Sequence, residues 1–140
     1  MVEILATVAA MIVVTTAIHA AFMFAGLGVV HRLTPHRSRI GKLHGTLIVA
    51  GFVFTMFLAS VIEAYSWALV YLRAGEFVDL ETAFYFSLVT FTSLGYGDIV
   101  LEGSWRLVSG FQAAVGLIAF GWTTALVVQV VGDVFGREAR

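Results

Sequence analysis

The segment Thr92–Asp98, which reads Thr-Ser-Leu-Gly-Tyr-Gly-Asp, has the pattern of a backbone that could bind a dehydrated cation. A protein that strips water from an ion must supply other oxygens in place of the hydration shell, and successive backbone carbonyls can do so if they all point the same way. Alternate residues must then adopt positive φ, which glycine enters without steric cost. Gly95 and Gly97 have this spacing, and Tyr96 between them is expected to point away into the protein.

Side chains and a neighbouring helix should reinforce this segment at both ends. The Ser93 hydroxyl can add an oxygen at the inner end, and Asp98 places a carboxylate at the outer mouth. The apolar stretch Leu80–Phe91 predicts a short helix with Asp79 as its N-cap. The partially negative C-terminal end of that helix would favour a cation. A Gly-Tyr-Gly triplet alone is common, so the interpretation depends on the elements around it.

The rest of the chain has the composition of a membrane protein. Of its 140 residues, 60% are apolar and 12% charged, and there are no cysteines for a disulfide or a thiolate metal site. Three stretches reach the roughly 20 apolar residues that a membrane span requires, namely Ile4–Val30, Thr46–Leu72 and Leu107–Val131. Glu3 stands where a signal peptide would carry basic residues, so the first stretch is expected to be a retained helix. The predicted fold class is an all-α membrane protein with three transmembrane helices and one re-entrant pore helix and loop.

Charged residues predict how the chain is oriented. The loop between the first two spans contains Arg32, Arg37, Arg39 and Lys42, and Arg137 and Arg140 follow the third span. Basic residues favour the cytoplasmic side, so the N-terminus is expected outside and the C-terminus inside. The outer side then carries six acidic residues against two arginines, which would concentrate cations there. The acidic residues are Glu3, Glu76, Asp79, Glu81, Asp98 and Glu102.

The segment with the two glycines resembles the selectivity filter of the potassium channel family, which usually reads Thr-Val-Gly-Tyr-Gly-Asp. Ser93 stands at the threonine position and Leu94 at the valine position. Serine keeps the hydroxyl without the methyl group, and leucine keeps the apolar bulk with different branching. The resemblance covers roughly residues 46–131 and implies a filter of Thr92 to Gly97. It places K⁺ at Ser93, Leu94, Gly95 and Tyr96.

The same resemblance assigns roles around the filter. Tyr85 and Phe86 occupy the positions of an aromatic pair that braces the filter in the family, and Val89 takes the place of a buried glutamate in some bacterial members. Tyr85 could either pack or donate a hydrogen bond to Asp98. Val100 lies at the outer mouth, where an aromatic side chain would bind external quaternary ammonium ions, so weak block by tetraethylammonium is expected.

The third span resembles the inner helix of the family. Gly116 corresponds to its hinge glycine, although Gly116 and Gly121 could equally be small residues that allow close helix packing. Helical spacing predicts a shared cavity-lining face, consisting of Leu117, Phe120, Thr124 and Val128. The first span has no counterpart in the simplest family members. It lacks the arginine repeat of a voltage sensor, so it is expected outside the second span, toward lipid or a neighbouring subunit.

His19 and Glu63 are ionisable residues inside predicted spans, where a charge costs about 2.5–3.5 kcal/mol. The simpler interpretation is a neutral Glu63 carboxyl bonded to a nearby hydroxyl. The two residues lie at similar depth when rise is counted along antiparallel spans, so a pair between them is also possible.

The resulting hypothesis is a homotetrameric, K⁺-selective channel subunit in a lipid bilayer, with passive conduction. Its domains would be an extra helix with a basic loop at 1–45 and a pore domain at 46–140. No enzymatic activity, organic cofactor, nucleic-acid partner or soluble regulatory domain is predicted. The small size suggests a prokaryotic plasma membrane. A non-selective monovalent cation channel and a non-conducting assembly subunit are the alternatives, and the gating stimulus is not predicted.

Overall fold

A computed structural model describes residues 2–34 and 41–136, which form four α-helices. These are α1 (Val2–Leu33), α2 (Lys42–Arg73), α3 (Leu80–Phe91) and α4 (Trp105–Phe135). Helices α1, α2 and α4 are long and apolar enough to cross a membrane, which confirms the three predicted spans, whereas α3 is too short. The basic residues at 35–40 and 137–140, and parts of the two predicted domains, lie outside the described residues.

Each long helix extends a few residues beyond its predicted apolar stretch at both ends. A helix of 32 residues is about 48 Å long, which exceeds the roughly 30 Å hydrocarbon core. Glycine permits a change of direction at two of the helix boundaries. Gly75 has φ 78° just after α2, and Gly103 has φ 56° shortly before α4.

Helix α3 packs against both α2 and α4, and α2 and α4 also contact each other. Glycine brings the latter two close together. A Cβ added at Gly45 would lie 2.8 Å from the Phe135 ring and 2.9 Å from Val134. The three helices thus form one unit that holds α3 and the loop after it.

Helix α1 packs against α2 and α4. Its buried residues recur at helical spacing along one stripe, consisting of Ile4, Val8, Met11, Thr15, His19, Gly26 and Val30. Gly26 lets the Phe52 ring approach, since a Cβ there would lie 3.0 Å from it. The remaining surface of α1 is largely apolar and exposed in the single chain, as expected for a helix that faces lipid or another subunit.

Candidate ion-binding site

Asp79 fixes the start of α3. Its carboxylate accepts the backbone N–H of Thr82 at 2.8 Å and the Thr82 hydroxyl at 2.9 Å. These hydrogen bonds favour the ionised form and hold the pKa of Asp79 below its usual value. The predicted N-cap and the predicted bounds of the short helix are therefore confirmed.

The first residues of the candidate filter fold back onto the end of α3. The backbone N–H of Ser93 donates to the Thr90 carbonyl at 2.9 Å. The Val89 carbonyl accepts two hydrogen bonds, from the N–H of Leu94 at 3.0 Å and from the N–H of Gly95 at 3.2 Å. Any displacement of α3 near Val89 would therefore move the filter segment.

The backbone of the segment has positive φ at every second residue. Ser93 has φ 58°, Gly95 has φ 54° and Gly97 has φ 78°. Alternation of this kind turns successive carbonyls toward one side. The two glycines were predicted to adopt it, but Ser93 was not, because a left-handed conformation costs a non-glycine residue about 1–2 kcal/mol. The two-residue spacing from Gly95 was the signal that could have identified it.

The segment is open to its surroundings in the single chain. Residues 92–98 are all exposed, with Leu94 54% and Tyr96 66% accessible. Tyr96 is therefore largely uncovered within its own chain, and the orientation of its ring into an assembled protein stays a prediction. A single strand also cannot surround an ion, so the oxygens of one chain make an incomplete site.

Tyr85 and Asp98 meet at the C-terminal end of the segment. The Tyr85 hydroxyl donates to the Asp98 carboxylate at 2.6 Å, and this hydrogen bond raises the pKa of Tyr85. Of the two interpretations of Tyr85, packing or a hydrogen bond to Asp98, the structure shows the hydrogen bond. Val100 is 65% exposed nearby, and its effect on external quaternary ammonium ions stays a prediction.

Phe86 and Val89 lie behind the segment. Phe86 is buried and makes an edge contact with Tyr71, with ring centroids 5.3 Å apart. Val89 is also buried, and it supplies the carbonyl that anchors Leu94 and Gly95. Phe86 thus holds α3 in place by packing, Val89 anchors the start of the segment through its carbonyl, and a filter-supporting role for the two stays a prediction.

The two glycines of α4 have different surroundings. A Cβ added at Gly116 would lie 1.9 Å from the Phe91 carbonyl oxygen, so α4 and the end of α3 approach closely there. A Cβ at Gly121 would meet nothing within 4 Å. Close packing accounts for Gly116, and a hinge at either position stays a prediction.

The predicted cavity-lining residues divide into two groups. Leu117, Thr124 and Val128 are exposed in the single chain. Phe120 is partly buried, with its ring centroid 5.8 Å from that of Phe91. Phe120 therefore packs toward the C-terminal end of α3. The other three residues share a face of α4 that the single chain leaves exposed.

His19 of α1 and Glu63 of α2 are in contact where the two helices pack together. His19 Nδ1 lies 2.9 Å from Glu63 Oε1, and both side chains are almost fully buried. The other imidazole nitrogen lies 3.2 Å from the Thr123 hydroxyl, and the Trp122 ring packs beside the imidazole at 5.1 Å. The Glu63 carboxyl thus pairs with His19, and the bond to a hydroxyl that the simpler interpretation expected is not found among the described residues.

Comparisons with known proteins agree with this arrangement. A family model described as "Ion channel" matches residues 47–133, which include most of α2, all of α3, the candidate filter segment and nearly all of α4. The matched family and the three long apolar helices define the class of the protein, which is a multi-pass membrane protein of the ion channel type. The chain belongs to this ion channel family.

One curated relative is the potassium voltage-gated channel protein shk-1 of Caenorhabditis elegans, which is 24% identical over 106 residues. That alignment covers 72% of this chain and 20% of the relative, so the chain spans about a fifth of the length of the relative it matches. No solved structure matches the chain.

Proposed function

We propose that four copies of this chain form a K⁺-selective channel in which backbone carbonyls of the filter segment replace the hydration shell of the ion. The observation that carries this proposal is the positive φ at Ser93, Gly95 and Gly97, directly after a short helix. This pattern supports a row of inward carbonyls at Ser93, Leu94, Gly95 and Tyr96. Potassium would move passively down its electrochemical gradient.

Assembly is supported by what the single chain leaves uncovered. The exposed Tyr96 ring and Leu94 side chain would be covered by a neighbouring subunit in the tetramer. On α4, Leu117 and Val128 would face a shared central cavity. One loop per chain cannot enclose an ion, and the number four comes from the family.

The orientation proposed for the channel places the filter and its acidic mouth outside. The outer residues Glu76, Asp79, Glu81, Asp98 and Glu102 would raise the local concentration of cations. The N-terminus would then be outside and the C-terminus cytoplasmic, in a prokaryotic plasma membrane. Because the chain has no cysteine, a cysteine at Val2 should react with an impermeant external reagent, and one at Ser38 should not.

Ion flux from liposomes that contain the purified protein tests the function. We expect K⁺ and Rb⁺ to pass far better than Na⁺, with block by Ba²⁺. Gly95→Ala should abolish flux, because alanine is strained at positive φ. Equal Na⁺ and K⁺ permeability would favour a non-selective cation channel, and absence of any flux would favour a non-conducting subunit.

A further inference from the structure

A buried amide joins three helices behind the candidate filter. Gln112 of α4 is fully buried, as are Tyr71 of α2 and Ser87 of α3. The Gln112 amide nitrogen donates to the Ser87 hydroxyl at 2.6 Å and to the Ser87 carbonyl at 3.2 Å. Its oxygen accepts the Tyr71 hydroxyl at 2.8 Å. The side chain therefore bonds to α2 and α3 at once.

The donors and acceptors of this group form a consistent chain. The Ser87 hydroxyl receives a hydrogen bond from Gln112 and donates its own to the Ala64 carbonyl of α2 at 2.6 Å. A carbonyl can only accept, so the contact with the Ser87 carbonyl fixes the NH₂ group of Gln112 toward α3. Replacement of Gln112 by an apolar residue would leave the Tyr71 hydroxyl as a buried donor without this partner.

This group lies close to the attachment point of the filter. Ser87 precedes Val89 by two residues, and the Val89 carbonyl holds the N–H groups of Leu94 and Gly95. One turn beyond Gln112 on α4, Gly116 lies against the Phe91 carbonyl, which is at the C-terminal end of α3. Helix α4 thus contacts α3 at two consecutive turns, and the Gln112 amide is the polar contact of the two.

We propose that Gln112 is a positioning residue for the selectivity filter: its amide holds α3 in register with α2 and α4, and thereby fixes the carbonyl row after Val89. The proposal rests on the proposed function, because it concerns the selectivity of that same site. Gln112 does not touch the ion path itself. Its effect on permeation passes through Ser87, Val89 and the backbone of the filter.

The test measures the K⁺/Na⁺ permeability ratio from reversal potentials of the full chain in bilayers. Gln112→Leu keeps the side-chain volume and removes all three hydrogen bonds, and we expect the ratio to fall about tenfold. Tyr71→Phe removes one of these bonds and should reduce the permeability ratio less. This variant provides the test if Gln112→Leu does not assemble. Thr15→Val is the matched control. Thr15 is equally buried and accepts the Trp67 indole N–H at 3.1 Å, but α1 does not contact α3.

Gln112→Glu separates hydrogen bonding from packing. At acidic pH its protonated carboxyl can still donate to Ser87 and accept from Tyr71, whereas the carboxylate at alkaline pH has no hydrogen to donate. Relative to the wild type at the same pH, the ratio of this variant should be highest near pH 5 and should fall as the pH rises toward 9, because the bond donated to Ser87 is then lost while the bond accepted from Tyr71 remains. Among the described residues, Tyr71 on α2 is the titratable group bonded to Gln112, and the partner on α3 is the non-titrating Ser87. The ionisable His19 of α1 contacts α4 at Thr123, and it is the same in all variants.

The outcomes are distinct. A wild-type channel that does not discriminate K⁺ from Na⁺ would contradict the proposed function, and with it the positioning role. A selective wild type with unchanged selectivity in Gln112→Leu and Tyr71→Phe would contradict the positioning role alone. A loss of selectivity in Thr15→Val as large as that in Gln112→Leu would also contradict it, because the effect would then follow general destabilisation.

Discussion

The imidazole of His19 lies 2.9 Å from the carboxyl group of Glu63, and so joins α1 to α2 inside the membrane-spanning region. Through its second nitrogen His19 also reaches Thr123 on α4. Within residues 2–34 and 41–136 the second carboxyl oxygen of Glu63 is buried without a hydrogen-bond partner, so His19 is the side chain there that compensates for the burial of Glu63. The extra helix is thus attached to the pore unit by a polar contact as well as by packing.

Removal of either partner should destabilise the protein by about 3–5 kcal/mol, because the remaining group is left buried without its partner. The double variant His19→Ala with Glu63→Ala should cost clearly less than the sum of the single variants. Thermal melts of the assembled protein measure this coupling. The same cycle between Glu63 and Thr34, which lies beyond the end of α1, should be additive. Strict additivity for His19 and Glu63 would mean that the contact contributes little.

Tyr85→Phe should weaken the filter at its outer end, because it removes the hydrogen bond to Asp98 and leaves the ring in place. We expect conduction to decline faster during sustained activity, while assembly remains normal. Current recordings at constant driving force measure the decline. Tyr65→Phe is a suitable control, since the Tyr65 ring packs edge-on against Phe84 and would keep that contact. A filter that conducts as steadily as the wild type would show that the Tyr85 bond is dispensable.

Gly116→Ala should destabilise the contact between α4 and α3, because the added methyl group would clash with the Phe91 carbonyl. Overpacking of this kind costs about 1–3 kcal/mol, and a backbone atom cannot move aside as a flexible side chain can. Gly121→Ala is the control. Its methyl group meets open space and should stabilise the helix by about 0.5–1 kcal/mol. Thermal melts would show opposite shifts, and equal shifts would argue against a packing role for Gly116.

The spans, the short helix and the positions of the filter glycines could be predicted because they depend on local patterns. Apolar length sets the spans, Asp79 marks a helix start, and Gly95 and Gly97 mark positive φ. The partners of His19 and Gln112 could not be predicted, because they depend on how neighbouring helices rotate and tilt against one another. A polar residue in an apolar span, such as Gln112, signals a partner without identifying it.

The environment of Tyr96 shows a second limit of the sequence. Its place between two glycines indicates which way the backbone carbonyls turn, but not which chain covers the ring. The structure of one chain leaves the ring 66% exposed, so in the proposed tetramer a neighbouring subunit would have to cover it. Properties of the filter that arise from assembly are therefore accessible only through the assembled protein.

Stability at low pH should depend on Asp79. Hydrogen bonds from Thr82 lower the pKa of Asp79 in the folded protein. The carboxylate therefore makes its full contribution to stability at any pH above the pKa of an aspartate in the unfolded chain, about 3.9. This contribution is lost as the pH falls through the lowered folded pKa, because the carboxyl must then bind a proton. Asp79→Asn keeps a capping side chain that does not titrate. Melting temperatures measured between about pH 2 and pH 5 should fall more steeply for the wild type than for Asp79→Asn. Parallel curves would mean that the cap makes no pH-dependent contribution, since all other carboxyl groups are common to both proteins.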